Sequence, residues 1–94
     1  MARWLFNSRG QGIAFVVGDN VFSKNSKFLG KLHGNEIWNS HYVAEILADE
    51  RVARKRLAPL GLKGLPGLPG LPGLPGLPGL KGPRLLPVGY EDLA

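Results

Sequence analysis

Few side chains in this 94-residue sequence could carry acid–base, nucleophilic or metal chemistry: it has two histidines and seven carboxylates, and no cysteine. His33 and His41 fall beside turn signals and read as exposed turn residues rather than ligands or bases. The carboxylates are Asp19, Glu36, Glu45, Asp49, Glu50, Glu91 and Asp92. No two of them share surroundings that would push their pKa values apart, as acid–base catalysis needs. Ser8, Ser23, Ser26 and Ser40 lack the strand–turn–helix elbow that activates a serine. Gly10-Gln11-Gly12 is a Gly-x-Gly without the flanking strand and helix of a phosphate loop, so it reads as a hairpin turn. Without cysteine there is no disulfide framework, thiolate zinc site or thiol nucleophile. These residues predict a protein that is not an enzyme, with no cofactor, metal or small-molecule ligand.

Charge offers one further candidate. Twelve Lys and Arg against seven Asp and Glu give a formal charge of +5, which favours an anionic partner. The cluster Arg51, Arg54, Lys55 and Arg56, continuing to Lys63, is the candidate nucleic-acid contact. Phe6, Phe22, Trp38 and Tyr42 would be its stacking platform. The competing reading makes these aromatics a core and the cluster a solvated edge that discourages strand-to-strand aggregation. The second reading is preferred, and nucleic-acid binding is the alternative function.

The elements that must position these residues come from a repeat in residues 1–57. Trp4-Leu5-Phe6-Asn7 precedes Gly12-Ile13-Ala14-Phe15-Val16. Asn20-Val21-Phe22-Ser23 precedes Phe28-Leu29-Gly30-Lys31-Leu32. Glu36-Ile37-Trp38-Asn39 precedes Tyr42-Val43-Ala44-Glu45-Ile46. Each unit reads x-apolar-aromatic-Asn/Ser, a polar turn, then bulky-apolar-small-x-apolar, with Phe6, Phe22 and Trp38 sixteen residues apart. Gly18-Asp19-Asn20 and Gly34-Asn35 separate the units; residues 23–27 and 39–41 sit at hairpin tips. Short strands with turns every seven to nine residues predict an antiparallel meander. Helical spacing over 42–57 competes with the repeat, and Tyr42–Leu47 is assigned to strand. The small residues Ala14, Gly30 and Ala44 are expected where an aromatic of the next unit crosses the sheet. Arg51-Val52 opens either a fourth unit, degenerate because Ala53 replaces the aromatic, or only a closing strand.

These motifs, with the ending Leu86-Pro87-Val88-Gly89-Tyr90-Glu91-Asp92, resemble the small bacterial four-fold beta-flower domains over nearly the whole chain. The resemblance implies a compact all-β arrangement of similar hairpin units and carries over no catalytic residue.

From Gly61 to Gly82 glycine recurs at every third position, and Gly-Leu-Pro repeats unbroken from Gly64 to Pro78. Proline excludes a helix or a central strand here. A period of three fits polyproline II, with leucines, prolines and glycines on separate edges. The segment resembles a short collagen-like stretch. Three outcomes are open: docking on the domain or a copy of it, a three-chain helix, or a spacer. Docking is preferred, because the sheet needs a second layer and Leu62 to Leu80 would supply it. Division into 1–57 (hairpin domain), 58–84 (triplets) and 85–94 (tail) follows. No apolar run reaches the roughly 18 residues of a membrane span, and a cytoplasmic location is expected. The function expected is a non-enzymatic structural or assembly module, homo-oligomeric.

Overall fold

A computed structural model describes residues 3–61 and 76–94. It is all-β. Strands β1 (Arg3–Phe6), β2 (Gly12–Val17), β3 (Asn20–Ser23), β4 (Phe28–His33), β5 (Glu36–Asn39), β6 (His41–Ile46), β7 (Val52–Lys55) and β8 (Tyr90–Asp92) form one sheet, each pairing antiparallel with the next. Among the described residues the sole helical piece is a single 3₁₀-like turn at Ala48–Glu50, broken by the non-helical backbone of Asp49.

The strands make four hairpins, and the local chemistry of the tips repeats. Asn7 Oδ1 accepts from the N–H groups of Arg9 and Gln11 at 3.0 and 2.9 Å. Ser23 Oγ accepts from Asn25 and Lys27 at 3.3 and 3.2 Å, the same offsets sixteen residues on. Asn7 and Ser23 are therefore turn residues that satisfy backbone donors the ladder leaves open. Gly18 and Gly34 join successive hairpins at φ of +61° and +66°, as the first central residue of a tight hairpin turn requires.

The bulky-small pairs have a different role from the one the repeat predicts. Leu5 pairs with Ala14 and Phe6 with Gly12, so Ile13 is an extra residue on β2. Leu29 is skipped in the same way between Phe28 and Gly30, and Val43 between Tyr42 and Ala44. Each of the first three units thus carries a bulge at the same place. A bulge sets two residues against one, bends the strand and increases its twist. In each pair the bulky residue contributes to the core: Ile13 and Ala14 both belong to its cluster, and Leu29 and Val43 pack against it. At Gly30 a Cβ would come within 2.6 Å of the Trp38 carbonyl oxygen. Main chain, rather than a crossing aromatic ring, is what crowds that small residue.

Leu5, Val21, Ile37 and Val52, the apolar residues before the aromatic position, are each 0% exposed and define the inner cluster. The aromatics Phe6, Phe22 and Trp38 are also buried. Trp4, Phe15, Phe22 and Phe28 run across β1 to β4 as a ladder with successive centroids 5.4, 5.6 and 5.8 Å apart. Such rings add to burial through their edge and offset geometry.

The fourth unit is split. β7 holds its first strand, and its second is β8, so residues 56–89 are an insertion in the tip of the fourth hairpin. The expected tail, 85–94, therefore supplies the last strand of the sheet. Its pairing is not local, so no short turn announces it. The two ends of the sheet meet: Ser8 donates from N–H and Oγ–H to Asp92 at 2.8 and 2.6 Å, and Asn7 Nδ2 donates to the Ala94 carbonyl. Phe6 also bridges to Arg51, in parallel, which curls the sheet upon itself.

The end of the insertion lies on the first hairpin with its leucines outward. Trp4 Nε1–H donates to the Gly76 carbonyl at 2.7 Å, and Lys81 N–H to the Gly10 carbonyl at 2.9 Å. Pro78 occupies the space a Cβ on Gly12 would take, and a Cβ on Gly10 would overlap the Lys81 carbonyl. Leu77 and Leu80 are 98% and 84% exposed, the reverse of the covering layer expected of them. Only one edge of a three-residue period faces the sheet, and these backbone hydrogen bonds select the edge without leucines. Gly79 at φ +71° takes the chain out of polyproline II, whose φ is near −75°. The triplets from Leu62 to Pro75, and with them the collagen-like geometry, lie outside the described residues.

Candidate functional site

The basic cluster of the sequence is dispersed by the fold. Arg51 is 3% exposed. Its Nη1–H donates to the Asn7 carbonyl at 2.9 Å, Nη2–H to the Gly82 carbonyl at 2.6 Å, and Nε–H and Nη2–H to Asp49 Oδ2 at 3.3 and 3.1 Å. A buried guanidinium is tolerable because these acceptors occupy it. This side chain ties the end of β1, the 3₁₀ turn and the returning insertion together, and it is out of reach of a phosphate.

Asp49 is the other half of this knot. Lys81 Nζ donates to its Oδ1 at 3.0 Å and its carbonyl at 3.1 Å, and stands 5.1 Å from the Phe6 ring centroid. The Lys81 ammonium first, then the Arg51 guanidinium, hold the Asp49 carboxyl below its usual range. Asp49 and Glu50 are both left-handed, at φ +61° and +59°. Such residues cost backbone energy that the surrounding contacts must offset.

Arg54 and Lys55 are committed to carboxylates. Arg54 reaches Glu91, its opposite number on β8, at 3.3 Å. Lys55 Nζ lies 3.5 Å from Glu45 and 3.9 Å from Glu36. The Lys55 N–H donates to the Tyr42 hydroxyl, which donates to Glu45 at 3.2 Å. Burial pushes that hydroxyl's pKa up to about 12. Phe6, Phe22 and Trp38 are 6%, 3% and 5% exposed, which removes them as a stacking platform for bases. Arg56 is exposed, and Lys63 lies outside the described residues.

A different set of basic residues is brought together. A cleft of about 750 Å³ opens between the first hairpin tip and the returning segment 83–90, rimmed by Arg9, Arg56 and Arg84. Its walls are pinned by main-chain bonds. Arg84 N–H donates to the Ser8 carbonyl and Arg56 N–H to the Gly89 carbonyl, both at 2.8 Å. No local pattern could reveal this grouping, because the three arginines come from separate parts of the chain. Comparison with protein-family models, with curated proteins and with solved structures found no match. Among the described residues no helix is long and apolar enough to cross a membrane.

Proposed function

We propose that this protein is a non-enzymatic assembly module that associates with copies of itself through the insertion of the fourth hairpin. One observation carries the reading. Among the described residues the exposed large hydrophobic side chains, Leu57, Leu60, Leu77, Leu80, Leu85 and Val88 at 84–102% exposure, all fall between β7 and β8. Confinement of exposed apolar surface to one segment is the usual mark of an interaction surface. Burial of one leucine stabilises by about 1.5–3 kcal/mol. Association costs roughly 4–15 kcal/mol in lost freedom, so several such residues from each copy are needed, and the insertion has them.

The test is the solution mass by light scattering across a concentration series. The parent is expected above the 10.1 kDa of one chain, with Leu77→Ser/Leu80→Ser returning toward it. A parent that stays at one chain at the highest concentration would count against self-association.

A further inference from the structure

We propose that the cleft rimmed by Arg9, Arg56 and Arg84 binds a small organic phosphomonoester. The cleft shares Leu85 and Val88 with the assembly surface, but the proposal does not rest on that reading. Three arginines from three segments line one cleft, and the backbones of Arg84 and Arg56 are fixed by hydrogen bonds to Ser8 and Gly89. Counter-charge within the protein is scarce. Arg9 is engaged at both terminal nitrogens, Nη1 by Asp92 Oδ2 at 3.4 Å and Nη2 by the Ala94 oxygen at 3.2 Å. Arg56 and Arg84 have no ion pair among the described residues. With Arg9 so engaged, Arg56 and Arg84 are the two positive charges left unpaired at the rim.

The surplus decides between anions. One carboxylate is satisfied by a single guanidinium fork. A phosphomonoester carries a charge of about −1.5 to −2 near neutral pH and three acceptor oxygens, so it engages more than one arginine. The organic part has a place as well: Leu86 and Tyr90, both half-buried, line the same cleft. The volume lies in the range of small-molecule sites, roughly 300–1,000 Å³, and exceeds what inorganic phosphate fills.

Calorimetric titration of the full chain with phenyl phosphate, inorganic phosphate and phenylacetate tests this. Phenyl phosphate is expected to bind saturably, more tightly than either of the others. Arg56→Gln and Arg84→Gln are each expected to weaken it about tenfold while keeping the parent melting temperature. Arg54→Gln, which removes an exposed arginine outside the cleft, is expected to leave the affinity unchanged. Absence of saturable binding at millimolar phenyl phosphate overturns the proposal. So does phenylacetate binding as tightly as phenyl phosphate, or an equal loss in Arg54→Gln, which would mark a diffuse basic surface such as a nucleic acid would meet.

Discussion

Leu5 and Leu77 carry the same side chain, yet the first is 0% exposed and the second 98%. On β1 the period of two and the bulge opposite assign each residue a side, and a leucine on the inner side joins the cluster. At the described end of the insertion the sequence period is three, and the main chain makes most of the contacts. Gly76 accepts from Trp4, Lys81 donates to Gly10, and Pro78 fills the gap over Gly12. The leucine edge is left over. What a hydrophobic residue does is therefore set by which edge of its local period the hydrogen bonds turn inward.

The sharpest way to break this contrast is Leu5→Ala beside Leu77→Ala. The first is expected to cost about 2–5 kcal/mol, lowering the thermal midpoint by at least about 10 °C. The second is expected to stay within about 0.5 kcal/mol of the parent, as a surface change does. Equal effects in thermal melts would erase the difference between the two regions.

Arg51→Met tests the knot that joins them. It leaves the Gly82 carbonyl without its side-chain donor and the Asn7 carbonyl with the Gly10 N–H alone, and is expected to cost about 2–3 kcal/mol. Denaturant unfolding with an unchanged midpoint would show that these bonds contribute nothing. A smaller effect comes from glycines. Gly30→Ala sets a Cβ against the Trp38 carbonyl, whereas Gly76→Ala meets open space. About 1–3 kcal/mol is expected for the first and no measurable change for the second.

The smallest expected effect is one of pH. Lys81 and Arg51 lower the Asp49 pKa in the folded protein, so Asp49 contributes stability when ionised. That contribution is present above the ordinary value of 3.8 and is lost as pH falls through the lowered value. Midpoints of the parent and Asp49→Asn are expected to differ near neutral pH and to converge below the ordinary carboxylate range. A constant difference down to the most acid point would contradict this role for the carboxylate.

Much of the sheet was legible because its signals are local. Asn7 and Ser23 at the tips, Gly18 and Gly34 between units, and the aliphatic–aromatic pairs lie within one hairpin of what they determine. Val52 also marks the fourth unit correctly, 0% exposed like Leu5, Val21 and Ile37. The bulky-small pairs were visible as a motif, but a bulge is a property of two strands in register, and one strand cannot reveal it. β8 escaped notice because its partner β7 lies beyond the insertion. Arg51 read as part of a surface cluster because a charge run in sequence carries no information about which member meets buried carbonyls. The cleft was invisible for the same reason: Arg9, Arg56 and Arg84 become neighbours only through pairings distant in sequence. The outward turn of Leu77 and Leu80 follows from bonds to Gly10 and Trp4, which a triplet pattern alone does not encode.

The central claim is that the sheet stabilises the chain while the insertion leucines serve contact between chains. Its most direct test is the thermal midpoint of the parent and of Leu77→Ser/Leu80→Ser, each at a dilute and a high protein concentration. Association stabilises the folded form by mass action, so the parent midpoint should rise with concentration. The variant should match the parent when dilute and show no rise. A variant that melts well below the parent when dilute would contradict the account, because those leucines would then belong to the fold of a single chain.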